Sequence, residues 1–179
     1  MNHKVVITGM GAVTPLGLSV EEFWRGLLEG RPGIGPVTKF DVTNFDTRIA
    51  GELPGFDPGN YMDRKEAKRA DPYTQYAIAA CKEAMEQSGL DTAEGNGNRI
   101  GCIVGSGIGG ATTWEAQHDV LRDKGPSRVS PFFVPMMIAD MASGQISMIH
   151  GARGANFATV SACASGAHAI GEAHQLLRA

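Results

Sequence analysis

An α/β fold, with helices laid over a largely parallel sheet, is what this chain of 179 residues predicts. Three observations carry that expectation. Short β-branched runs alternate with segments of helical period, the pattern of a parallel sheet covered by helices. The runs end on glycine or other small residues, which mark tight turns. The 24 glycines are about twice ordinary usage and sit in short clusters without a collagen period, so they serve turns and close backbone approach.

Taken in order, residues 4–8 (KVVIT) read as a buried strand ended by Gly9. Ser19 followed by Glu22 forms a capping box, opening a helix through Leu28 that Gly30 closes. Residues 31–60 are rich in Pro, Gly, Asp and Asn and read as loop, with one short strand around 48–51. Asp71-Pro72 supplies an N-cap and a first-turn proline. The helix that follows has apolar positions at Tyr76, Ala79, Ala80, Ala84 and Met85 and stops at Gly89. Residues 99–104 (RIGCIV) form the next strand, which runs into 105–110 (GSGIGG) and then a helix to about Lys124. Residues 130–135 (SPFFVP) read as an extended turn before a Met-rich helix over 136–150. Residues 156–161 are a further strand, and the chain is helical from Cys163 onward. No internal repeat interrupts this order. The last helix carries no stop signal where a strand would normally follow, so residues 1–179 read as one domain incomplete at its C-terminus.

Bulk properties narrow the class of function. At 42% hydrophobic and 20% charged residues the chain is suited to an ordinary core, which excludes disorder. A net charge of −3 gives no signal for nucleic acid or an anionic membrane. No apolar run approaches the roughly 20 residues that span a bilayer, and the start lacks a secretory signal. Three cysteines, an odd number, argue against a disulfide framework. A cytoplasmic location follows, and neither a metal nor a cofactor is expected.

The chemistry concentrates in residues 157–168 (FATVSACASGAH). There a strand ends in a thiol flanked by small residues, and a helix begins at once. Unpaired N–H groups and the positive end of the helix dipole favour thiolate, the nucleophilic form. Ala162, Ala164 and Gly166 leave room for a thioester, and the Cys163 backbone N–H can serve half of an oxyanion hole. Cys81 and Cys102 fall inside a helix and a strand and read as inert packing. No histidine presents itself as the partner base. His168 lies about 140° round the helix from Cys163, and His174 about 16 Å along it. His3, His118 and His150 read as surface or packing residues.

Together these segments resemble the β-ketoacyl-acyl carrier protein synthases of the thiolase-like superfamily, most closely the type II elongating enzymes. The matching pieces are 5–11 (VVITGMG), 14–17 (TPLG), 64–66 (RKE), 105–110 (GSGIGG), 130–135 (SPFFVP) and 161–166 (SACASG). The resemblance implies a layered αβαβα fold, this chain being most of its first half, and a cytoplasmic homodimer. It implies that Cys163 takes an acyl group from acyl carrier protein. Malonyl-acyl carrier protein then loses CO2, and the resulting carbanion extends the acyl chain in fatty acid elongation. The histidines that assist decarboxylation belong to the part beyond this chain, so the isolated chain is expected to be inactive. The same resemblance makes Ile108 a residue of the acyl pocket and Phe133 an interface residue reaching the partner's pocket. Lys65, Lys68, Arg69 and Arg128 become contacts for the acidic carrier protein. Ser127 departs from the pattern, since close relatives often carry a basic residue there.

Rival readings remain. GSGIGG after a strand formally fits a dinucleotide fingerprint, but the acidic residue required about 20 positions later is missing from residues 127–133. Non-catalytic thiolase-like subunits lack the cysteine. A coenzyme A thiolase matches less well around Cys163, and a polyketide ketosynthase stays open.

Overall fold

The computed structural model describes residues 4–92 and 96–179; His3, weighed above, lies outside them. Helix α1 (Val20–Leu28) starts as expected: Ser19 Oγ accepts the Glu22 N–H at 3.2 Å. The reciprocal bond reaches one residue further back, with Glu22 Oε2 accepting from Leu18 N–H at 2.8 Å. Strands β1 (Gly35–Pro36) and β2 (Ile49–Ala50) form a two-rung antiparallel ladder. β2 falls in the expected window, whereas β1 was hidden by Pro36, which cannot donate to a ladder and is tolerated at an edge.

Helix α2 (Arg64–Ala67) is one turn capped by Asp63. The long helix α3 (Pro72–Ser88) begins at Asp71-Pro72 and ends on Gly89 with φ +59°, both as expected. Its midsection lies against α6 (Met141–His150). The core there is built from small and β-branched residues: Ile78, Ala79, Ala142 and Ile146 are buried, with Thr74 and Ser143 sealed among them.

Residues 4–8 are not a strand. Val6 and Ile7 are 61% and 82% exposed, and no ladder pairs them among the described residues. α3 holds the residues that follow: Met10 N–H donates to Gln87 Oε1 at 2.6 Å and Ala12 N–H to Glu83 Oε2 at 2.9 Å. Gly11 lies so close to α3 that a Cβ there would overlap the Ala80 carbonyl oxygen. Side-chain acceptors on a helix thus satisfy the N–H groups of residues 10 and 12, while residues 4–8 have no strand beside them among the described residues.

The sheet at the site has two described strands, β3 (Cys102–Gly105) and β4 (Asn156–Thr159), paired in parallel with Cys102 opposite Asn156 and Gly105 opposite Thr159. β3 starts later than the sequence suggests because residues 97–99 form a 3-10 turn. α6 and α7 (Ser165–Arg178) both pack on this pair. α4 (Ala111–Lys124) follows the glycine loop as expected.

The Met-rich helix is two helices, α5 (Phe133–Met137) and α6, separated at Ile138, which is extended at φ −70°, ψ 139°. The break has a cause. Met137 O accepts the Gly110 N–H at 2.8 Å and Ile138 O accepts the Tyr73 hydroxyl at 2.6 Å. Met137 O, which a continuous helix would offer to the Met141 N–H, is thus taken by an outside donor, and the Met141 N–H turns to Ile138 O at 3.3 Å instead. Pro135 sits in the first turn of α5, where no intrahelical N–H is needed.

Candidate active site

The segment after β4 turns sharply before α7 begins. Residues 162–164 form a 3-10 turn, so Cys163 precedes the α-helix proper by two residues. Ala162 has φ +49°, the single positive φ outside glycine among the described residues. An alanine there costs on the order of 1 kcal/mol in backbone strain. The turn lifts Cys163 to an exposed position, while Cys81 and Cys102 are half-buried. Burial pushes the Cys102 thiol up to about 11, with Cys81 nearby adding to it, and burial also raises Cys81. Those two thiols stay protonated at neutral pH and are poor nucleophiles.

Two segments far apart in sequence meet here. The glycine loop runs beside the elbow: Gly107 faces the Ala162 backbone, and a Cβ on Gly105 would overlap the Ser165 carbonyl. Ser106 N–H donates to Thr159 O at 3.1 Å, extending the β3–β4 register into the loop. Gly109 and Gly110 press against the backbone of residues 136–139. The loop's glycines therefore serve close packing on both sides, which the dinucleotide reading did not foresee.

Ile108 projects from the loop, 78% exposed. It lines an open pocket of about 380 Å3 with Gly110, Ala111, Trp114, Met137, Ile138 and Ala139. Phe133 opens α5 and is half-buried, but it does not line that pocket. The basic residues lie on α2 and after it. Lys65 is in α2, Lys68 caps it, and Arg128 ends the 3-10 turn at residues 126–128. Arg69 differs from its neighbours. Its guanidinium lies 4.3 Å from the Phe132 ring centroid and 3.9 Å from Glu66.

Two of the described histidines have other partners. His118 stacks on Trp114 at 5.9 Å and sits 3.8 Å from Asp119. His168 turns toward Ser161, its Nδ1 2.8 Å from Ser161 Oγ. Sequence reasoning missed this polar cluster of Ser161, Ser165 and His168. The available signal was two serines placed two residues either side of Cys163, with a histidine seven residues after the first.

Comparison with known proteins agrees with this arrangement. The family description "Beta-ketoacyl synthase, N-terminal domain" matches residues 2–179, and the chain belongs to that family. It is 50% identical over 177 residues to a 3-oxoacyl-[acyl-carrier-protein] synthase 2 of Staphylococcus aureus (strain COL), covering 99% of this chain and 43% of that protein. The protein of the same name from Synechocystis sp. is 48% identical over 175 residues, covering 98% and 42%. The chain thus spans less than half the length of these relatives. Among solved structures, a β-ketoacyl synthase from Burkholderia phymatum superposes with TM-score 0.78 at 29% identity, over 96% of this chain and 43% of that one. A chain from a type II PKS acyl-carrier protein in complex with its ketosynthase gives TM-score 0.84 at 24% identity, over 99% and 48%. The fold is that of the thiolase-like ketosynthases.

Proposed function

We propose that this chain is the nucleophile-bearing N-terminal part of a 3-oxoacyl-[acyl-carrier-protein] synthase, an acyltransferase of fatty acid elongation, with Cys163 as the acyl acceptor. The observation that carries the reading is the exposed thiol on a strained elbow packed against the glycine loop. The Cys163 sulfur attacks the thioester carbonyl of acyl-acyl carrier protein, forming a new thioester and releasing the carrier thiol. The carbanion left when malonyl-acyl carrier protein loses CO2 then attacks that thioester, forming a carbon–carbon bond and returning the electron pair to sulfur. Identity near 50% to synthases of this name, against 24% to a polyketide neighbour, favours the fatty acid substrate class.

Ile108 is assigned to the acyl pocket, supported by its place in the 380 Å3 cavity beside the loop. Phe133 is assigned to a homodimer interface. Lys65, Lys68 and Arg128 are assigned to docking of the acidic carrier protein. Arg69 contributes less there, because Phe132 and Glu66 already engage it. The protein works in the cytoplasm. Residues 1–179 alone are expected not to condense, because they span only 43% of the relative that carries the synthase name.

The test uses the full-length protein incubated with an acyl-acyl carrier protein and mapped by mass spectrometry. A thioester adduct on Cys163, absent from Cys163→Ala, is expected. An adduct on Cys81 or Cys102, or none, overturns the reading.

A further inference from the structure

We propose that Ser165 and His168 are positioning residues that hold the Cys163 elbow in its reactive shape, acting through Ser161 and Ala162. The proposal rests on Cys163 being the acyl acceptor. It starts from Ala162, whose φ of +49° is a conformation an L-residue leaves unless something holds it. The holding group is one hydroxyl. Ser165 Oγ donates to Ala162 O at 2.7 Å and accepts the Ser161 N–H at 2.8 Å. A single oxygen therefore ties the backbone on both sides of the strained residue. Ser165 is 2% exposed, so its hydroxyl is shielded from water on its own side of these bonds.

Ser161 is tied at its other polar atoms as well. Its carbonyl accepts the Ala164 N–H at 3.0 Å, and its hydroxyl meets His168 Nδ1 at 2.8 Å. Two side chains of α7 thus grip the residue that precedes the elbow. α7 itself is keyed to the sheet: Thr159 Oγ1 donates to Ser165 O at 2.8 Å, and Gly105 abuts the Ser165 backbone. Cys163 follows Ala162 directly. Rotation of Ala162 out of its left-handed state swings the Cys163 sulfur and its N–H together. A misplacement of about 1 Å at a reacting atom costs about 100-fold in rate.

Full-length variants test this by two rates at Cys163: acylation by acyl-acyl carrier protein, and alkylation by iodoacetamide. Ser165→Ala is expected to slow both by about tenfold or more, with KM for the acyl donor changed less than about threefold. Glycine occupies positive φ freely, so adding Ala162→Gly to Ser165→Ala is expected to recover at least about fivefold of that loss. A residue that merely stabilised the fold would give no such recovery. His168→Ala is expected to slow both rates by about threefold to tenfold. His168→Asn, which places an amide atom where Nδ1 stands, is expected to restore them. Ser165→Ala rates within about twofold of wild type, or a double variant no faster than Ser165→Ala, overturn the proposal. Where Ser165→Ala fails to fold, the His168 pair decides, and equal rates for Ala, Asn and wild type overturn it. Wild-type protein that alkylates at Cys163 but takes no acyl group refutes the acyl-acceptor reading, and the alkylation rates still judge the elbow.

Discussion

The Asp71 carboxylate joins two helices: its Oδ2 accepts the Thr113 N–H of α4 at 2.8 Å while its Oδ1 caps α3 through the Tyr73 N–H at 3.2 Å. Asp71 is 3% exposed and Thr113 is also buried, so the Thr113 N–H has no water as an alternative partner. Asp71→Ala removes a cap and leaves a buried donor unpaired. It is expected to cost about 2–4 kcal/mol, read as a lower urea midpoint at unchanged m. Asp71→Asn keeps one acceptor oxygen and is expected to cost less. Equal stability of Asp71→Ala and wild type would refute this account.

Gly105→Ala places a methyl group into the Ser165 carbonyl. Overpacking of this kind costs about 1–3 kcal/mol. Because the clash is with backbone at the start of α7, the Cys163 alkylation rate is expected to fall along with the melting temperature. A variant with lowered melting temperature and unchanged alkylation would separate the contact from the thiol's placement.

Asn156 pins β4 to α6. Its Nδ2 donates to Ser143 O at 3.1 Å and to Ser147 Oγ at 2.5 Å, and its Oδ1 lies 3.0 Å from Ser143 Oγ. Asn156→Leu leaves the buried Ser143 and Ser147 without these partners, and a loss of about 2–3 kcal/mol is expected by chemical denaturation. A loss below about 0.5 kcal/mol would mean the network contributes little.

The cysteines are expected to separate by reactivity. With iodoacetamide at pH 8, peptide mapping should find Cys163 modified first and Cys102 far more slowly, its rate still climbing toward pH 11. Folding raises the Cys102 thiol from 9.0 to about 11, so its neutral form is favoured in the fold. That contribution is intact below pH 9 and is lost as pH rises from 9 to 11, where the unfolded thiol ionises first. Stability that rises across this window in the wild type relative to Cys102→Ala contradicts the assignment.

Much of this was legible in the sequence because it depends on local rules. Ser19 with Glu22, Asp71 with Pro72, and Gly89 each mark a helix end through bonds within a few residues, and the structure places the ends there. The exposed thiol after β4 was legible for the same reason, since a strand-to-helix turn is written in adjacent residues. What was not legible depends on partners distant in sequence. Val6 and Ile7 have strand character, yet no described strand lies beside them to complete a ladder. The helix expected over 136–150 breaks because Gly110 and Tyr73 claim its carbonyls. His168 was set aside because its helical angle pointed away from Cys163. Its actual partner, Ser161, lies before the helix, where that angle has no meaning.

The contact between Gly105 and Ser165 leaves no room for a side chain at Gly105 between β3 and α7. At that point the two elements meet through peptide atoms. Under the proposed assignment, substitutions at the pocket residues Ile108 and Trp114 reshape the cavity without placing an atom in that backbone contact. On that reading, what the cavity accepts can be retuned apart from the spacing between β3 and α7.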